Sequence, residues 1–348
     1  MSSKEGFNHL AVNLFEKART LPKIEWIDLA TFYDPRSTVL VTTPSANKQF
    51  SPFCHNFNIV EQINITGGDA AYIEDLQKKR SGAEVMYTVG GGRAIDLARL
   101  LAYTWNMDIT AVPTIISTDS PFVDCTGVRE DGCVHYIKSK KADRVFLDFS
   151  LLKKSPGALH AGGAGDVLSI YTALPDWKLA SDRQVAKADE PYSIAVADQA
   201  QGILDYLMAN RSEIHTMSQR GLESLVKALA MEVELCNLYG NSRPEEGGEH
   251  FFAYAIEPRL PHTTHGELVG LGILVTSLIQ YQKLQPVLEF MNTIGMNYRP
   301  KGFTRAILDE TLRGMPSYVN RHGLRYSVWN EYCYNKKQVS EILDALNS

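Results

Sequence analysis

Residues 37–43 read STVLVTT, a β-branched and apolar run that ends beside a proline. Residues 58–66, NIVEQINIT, alternate between polar and apolar, as a strand does. From 67 to 80 (GGDAAYIEDLQKKR) the spacing turns helical. EVMYTV (84–89) is a third strand and runs straight into three glycines. RAIDLARLLAYTW (93–105) is a helix, with apolar residues at 95, 97, 98, 101 and 102. DITAVPT (108–114) and RVFLD (144–148) add two strands, the latter preceded by the polar, hairpin-like REDGCVHYIKSKKAD. Strands alternating with helices predict a mostly parallel sheet.

Beyond about residue 150 the texture changes. Long helical periodicities run over 192–211, 217–240 and 265–284, and few strand signals remain. Proline and glycine cluster in KKSPGALHAGG (153–163), which places a boundary there. The expected fold is an N-terminal α/β nucleotide-binding domain with a parallel sheet (1–157), followed by an all-α domain (158–348). A cleft between two such domains is a natural place for a ligand. The first nineteen residues have the spacing of an amphipathic helix carrying Leu10, Val12, Leu14 and Phe15, and they lack the apolar core of a secretory signal.

Composition narrows the function. At 44% hydrophobic and 22% charged the chain is an ordinary globular protein, long enough for two cores. A net charge of −5 argues against a nucleic-acid partner. No apolar run approaches the roughly 18–20 residues of a membrane span. The five cysteines, Cys54, Cys125, Cys133, Cys236 and Cys333, form no CxxC and no disulfide framework, which suits a reduced, cytoplasmic protein.

Two strand ends carry candidate chemistry. VGGGRAIDLAR (89–99) sits at a strand-to-helix junction, where glycines allow a pyrophosphate close to the backbone and the helix N-terminus presents N–H groups to it. It departs from the GxGxxG fingerprint, so a plain turn remains an alternative, and Asp96 could simply favour the helix dipole. VPTIISTDSP (112–121) crowds Thr114, Ser117, Thr118, Asp119 and Ser120 at a second strand end, the edge where open α/β sheets bind ligands. A polar loop with an Asx turn at Asp119 would explain the same residues.

Histidine is scarce, with nine in 348 residues, yet three lie between 250 and 265. A catalytic zinc-type site needs about three protein ligands and an open position. His250 and His265 are fifteen apart, a spacing suited to two successive helices joined by EPRLPHTT. Asp166, after the small-residue loop HAGGAG, is the best third candidate. Each has an ordinary alternative: Asp166 as a helix cap, His250 as a hydrogen-bonded core histidine. His262, in the loop, is expected at the surface or behind the ligands.

GGGRAID, VPTIISTDSP, GGAGDVLS, GNSRPEEGGEHFFAYAIE and HGELVGLG occur in an order that resembles the iron- or zinc-dependent polyol dehydrogenase superfamily over roughly residues 35–290. STDSP is similar to glycerol dehydrogenases; YTALPDWKLA and SRPEEGGEH are more like sn-glycerol-1-phosphate dehydrogenases. Dehydroquinate synthases are more distant. The resemblance implies an enzyme using NAD or NADP and one divalent metal, zinc or iron, held by Asp166, His250 and His265. It implies that Gly90, Gly91, Gly92, Arg93 and Asp96 border the cofactor pyrophosphate, that Thr114 and Thr118 line the dinucleotide, and that Asp119 faces the nicotinamide and the substrate hydroxyls. The expected substrate is a small polyol or polyol phosphate, and a homo-oligomer is compatible with this reading. The cyclase cousins carry glutamate as first metal ligand, so Asp166 favours a dehydrogenase. The chain departs from the pattern at Tyr254, where the family often has a second histidine, and at Val123, Cys125 and Arg129. VLVTTPSANK lacks the acidic ribose partner of the first strand, so Lys48 could instead accept a 2′-phosphate.

Overall fold

The computed structural model describes residues 15, 17–67 and 70–347, which form two compact units. The helix expected over the first nineteen residues falls largely outside the described residues. One unit is Leu21–His160. Its sheet has six strands: β1 (Lys23–Trp26), β2 (Asp34–Thr42), β3 (Phe57–Asn64), β4 (Val85–Gly90), β5 (Asp108–Pro113) and β8 (Arg144–Leu147). They lie in the order β1-β8-β5-β4-β2-β3, and every neighbouring pair is parallel. A separate antiparallel hairpin joins β6 (Cys125–Glu130) to β7 (Cys133–Lys138). Its two-residue turn is Asp131-Gly132, with φ of 50° and 74°, the left-handed pair that a tight hairpin requires.

Side chains alternate across a strand, so the apolar runs divide between two faces. Helix α1 (Pro44–Phe50) follows β2. Val39, Val41 and Met86 face α2 (Ala70–Lys78) and α3 (Gly92–Trp105), meeting Leu76, Leu97, Ala98 and Leu101. Leu40, Val85, Tyr87 and Val112 turn to the other face and meet Phe50, Phe53, Phe57 and Phe146. Burial on both faces is why the central strands read as continuous apolar runs. From β2 the chain passes to β3 on one side and then returns to β4 on the other. The carboxyl ends of β2 and β4 therefore flank a topological switch point, where open α/β sheets take their ligands.

The second unit runs from Ala161 onward, together with the described residues up to Thr20. Glu234 holds that N-terminal stretch by accepting from the backbone N–H groups of Arg19 and Thr20. Its main helices are α4 (Ala164–Leu168), α5 (Ile170–Asp182), α6 (Ile194–Ala209), α7 (Gln219–Tyr239), α8 (Gly248–Ile256), α9 (His265–Ile279), α10 (Gln285–Ile294), α11 (Arg305–Arg321) and α12 (Lys336–Asn347). Two glycines seat α9. A Cβ at Gly266 would stand 2.5 Å from the Gly162 carbonyl oxygen, and one at Gly272 would stand 2.3 Å from the Glu249 carbonyl oxygen. Only glycine allows the backbone of α9 to lie against both the loop before α4 and helix α8. No helix among the described residues is long and apolar enough to cross a membrane.

Candidate functional site

Those close approaches bring three donors together in the helical unit. Asp166 on α4, His250 on α8 and His265 at the first position of α9 have ligand-type atoms that all lie within 4.8 Å of one another. His265 Nε2 is 3.3 Å from Asp166 Oδ1, and the two imidazole rings are 5.5 Å apart between centroids. Two atoms each bound at 2.0–2.2 Å to one tetrahedral cation would stand ~3.4 Å apart. Asp166 and His250 are buried, whereas the His265 side chain keeps 28% of its exposure, which leaves one side of the triad approachable. One carboxylate and two imidazoles fit zinc or iron(II). His262 is exposed and stands apart from this cluster.

The two glutamates beside the histidines do different work. In THGE, Thr264 is the N-cap of α9: its hydroxyl accepts from the Glu267 N–H and the Glu267 carboxylate accepts from the Thr264 N–H. This reciprocal capping box fixes the first turn, and so fixes His265. In GGEH, the Glu249 carboxylate instead turns onto the imidazole, with Oε1 2.9 Å from His250 Nδ1. The T-x-x-E signature was readable in the sequence; the Glu249 contact was not, because neighbours i and i+1 on a helix do not normally face each other.

Electrostatics at His250 favour positive charge. Burial pushes its pKa down, but the hydrogen bond and charge of Glu249, with Glu245 and Glu246 beyond, lift it to about 10. The same negative surroundings suit a cation. Tyr254 lies 6.0 Å from His250 between ring centroids and donates its hydroxyl to Glu246 at 2.7 Å. At the position where a second histidine was considered, a phenol is thus tied back into the protein.

The sheet unit carries a second constellation. Gly91 is the N-cap of α3; the Ala94 N–H donates to the Gly91 carbonyl, which leaves the Gly92 and Arg93 N–H groups outside the helical ladder. A Cβ on Gly91 would be 2.9 Å from Ile115 Cγ2, and one on Gly92 would be 3.0 Å from Thr118 Oγ1. The three glycines thus keep the switch-point backbone bare, a cradle that a phosphate can approach. Arg93 is exposed on the first turn of α3. Thr114 extends β5 by donating its N–H to the Gly90 carbonyl.

Asp96 has a clear structural engagement. Its Oδ1 accepts from Arg99 at 2.6 Å and from the Ser120 hydroxyl at 2.6 Å. Arg99 is fully buried and also donates to the carbonyls of Val123 and Cys125. This tether binds the loop holding Thr118 and Asp119 to α3. Asp119 is half-buried, and its carbonyl accepts from Phe122 N–H to close the turn before β6. The Cys125 thiol is pushed up to about 12 by burial and then by the charges of Asp119 and Asp124, so it stays protonated at neutral pH. Lys48 is exposed in the last turn of α-helix Pro44–Phe50, which follows β2 directly.

The described residues thus combine a parallel six-stranded sheet with a helical unit that carries an Asp-His-His cluster. Residues 42–156 match the family model of iron-containing alcohol dehydrogenases. The chain is 28% identical over 260 residues to the glycerol-1-phosphate dehydrogenase (NAD(P)+) of Thermoplasma volcanium, covering 72% of this chain and 73% of that one. Its fold is that of glycerol dehydrogenase from Schizosaccharomyces pombe, with a TM-score of 0.67 at 18% identity over 94% of this chain and 89% of that one. It also matches ValA, the 2-epi-5-epi-valiolone synthase of Streptomyces hygroscopicus with NAD+ and Zn2+ bound, with a TM-score of 0.60 at 14% identity, covering 94% and 96%. The chain is similar to the iron-containing alcohol dehydrogenases, in keeping with the motif order in the sequence.

Proposed function

We propose that the protein is a metal-dependent, NAD(P)-linked dehydrogenase acting on a small polyol phosphate, with glycerol 1-phosphate and dihydroxyacetone phosphate as the substrate pair. The observation that carries this is the meeting of Asp166, His250 and His265 from three helices. The similarity to glycerol-1-phosphate dehydrogenases supports the substrate choice. In the oxidising direction, alcohol and NAD(P)+ give ketone, NAD(P)H and a proton.

Asp166, His250 and His265 would hold one divalent cation, and glycines 90–92 with Arg93, Asp96, Thr114 and Thr118 would border the dinucleotide. When bound, the cation supplies Lewis-acid polarisation of the reacting oxygen and the nicotinamide takes or returns hydride. The chain's own tasks are orientation and proton handling. The bare glycine backbone and the helix N-terminus receive the pyrophosphate. Asp119, held by its turn and by the Asp96–Ser120 tether, orients the substrate hydroxyls or nicotinamide and serves the path by which the hydroxyl proton leaves. The five free cysteines support a cytoplasmic setting. The test is a near-ultraviolet NAD(P)H assay on metal-loaded protein across small polyols, ketoses and their phosphates. Net oxidation with dihydroxyacetone phosphate supports the reading. Turnover of a sugar phosphate without net NAD(P)H change would instead indicate a cyclase.

A further inference from the structure

We propose that Glu249 is a positioning residue that sets which nitrogen His250 presents to the Asp166–His265 side; the inference rests on the metal reading above. Glu249 is fully buried at the second position of α8. From there its carboxylate curls back over the helix N-terminus, where the dipole favours negative charge. Oε1 accepts from the Gly247 N–H at 2.6 Å and faces His250 Nδ1 at 2.9 Å. Oε2 accepts from the Thr172 hydroxyl of α5 at 2.6 Å. Three contacts from two helices thus hold one carboxylate in a single orientation. A carboxylate oxygen only accepts, so Nδ1 carries the hydrogen in this contact. With Nδ1 committed to Glu249, Nε2 is the nitrogen left to serve as a metal ligand once its proton is lost.

The two glycines of GGEH make this geometry attainable. A Cβ at Gly247 would lie 2.9 Å from the Ala173 Cα and 3.2 Å from Glu249 Oε2. A Cβ at Gly248 would lie 2.8 Å from both Asp176 Oδ2 and Trp329 Nε1. Asp176 Oδ2 also accepts from the Gly248 N–H, anchoring the turn that carries the glutamate. The segment therefore combines a bare turn, an aiming carboxylate and the imidazole it aims. Partners that fix a ligand imidazole typically change metal affinity by about 10–100-fold when removed.

The test measures zinc dissociation constants by chelator competition on wild-type protein, Glu249→Ala and Glu249→Gln, with circular dichroism of each before metal is added. Glu249→Ala should keep its fold and bind zinc about 10–100-fold more weakly. Glu249→Gln retains an acceptor oxygen at the same reach and should recover most of that loss. Wild-type affinity in a folded Glu249→Ala protein would overturn the proposal. If Glu249→Ala does not fold, Thr172→Val decides: it frees Oε2 without touching His250, and a several-fold weaker affinity supports the role whereas an unchanged one overturns it. Wild-type protein that fails to bind zinc or iron removes the metal reading itself, an outcome distinct from unchanged variants of a metal-binding wild type.

Discussion

Three histidines within sixteen residues have three different environments. His250 is buried against Glu249, His265 opens a capped helix beside Asp166, and His262 is exposed in the connecting loop. His265→Ala should therefore abolish or severely reduce metal content measured by elemental analysis, while His262→Ala should leave it unchanged. Equal losses in both variants would contradict the ligand assignment. Asp119 belongs to the other unit and outside the ligand set. Asp119→Asn should keep fold and metal but lose about 10²–10⁴-fold in turnover, the usual range for general acid–base help. Near-normal turnover would reduce Asp119 to the turn it forms with Phe122. The clustering of histidines and the order of the motifs made Asp166, His250 and His265 legible as candidates. Thr172 and Arg99 were not legible, since the Glu249 carboxylate that Thr172 meets and the loop carbonyls that Arg99 holds lie 77 and 24 or more residues away in the chain.

At the level of elements, the apolar runs identified the central strands and the long helices because burial on both sheet faces leaves an uninterrupted signal. The short edge strand β1, KIEW, and the helix Pro44–Phe50 gave none. β1 is mostly half-buried and carries two charged residues among four, and the helix begins with proline inside what reads as a polar loop. The periodicity at 265–284 overran its helix, which stops at Ile279, and that at 192–211 covers Ile194–Ala209 and then a new helix, Arg211–Thr216. Caps, rather than periodicity, set these ends. Thr264→Ala removes the capping hydroxyl of α9 and should cost about 0.5–2 kcal/mol in urea unfolding. It should also weaken metal binding, because His265 is the first residue of that helix. Stability and metal affinity both at wild-type values would count against the cap as the device that holds His265. In the sheet unit, Gly91→Val is a poor probe, since even its Cβ would press on Ile115. Gly92→Ala is gentler: the methyl meets the Thr118 hydroxyl at 3.0 Å and the Ser120 Cβ at an ordinary 3.7 Å. If crowding of the cradle costs about 1–3 kcal/mol in the bound state, dinucleotide binding read by NAD(P)H fluorescence should weaken about 5–150-fold. Unchanged affinity would remove the glycine cradle from the binding site.

For the whole molecule, strand–helix alternation followed by helical texture was enough to place the class of fold, whereas the strand order could not be read because pairing is decided by contacts distant in sequence. One such contact ties β2 to β4. Asp34 at the start of β2 accepts from Tyr87 Oη at 2.7 Å and pairs with Arg36 at 2.6 Å. The Arg36 hydrogen bond, against the opposing effect of burial, and the Tyr87 hydroxyl hold its pKa down at about 2. A depressed acid stabilises the fold above the ordinary value of roughly 3.9 and loses that contribution as pH falls toward the folded-state value. Asp34→Asn should therefore flatten the fall in stability between about pH 4 and about pH 2, measured by urea unfolding; an unchanged slope would show that other carboxylates govern it. The central claim, a metal-dependent dehydrogenase, is tested most directly by one assay. Purified protein loaded with zinc or iron(II) is mixed with NAD(P)H and dihydroxyacetone phosphate, and the nicotinamide absorbance is followed beside a chelator-treated control. The account predicts loss of absorbance matched by an equal amount of glycerol 1-phosphate, and none in the control. Full activity in the chelated protein, or substrate consumption with no net change in NAD(P)H, would contradict it.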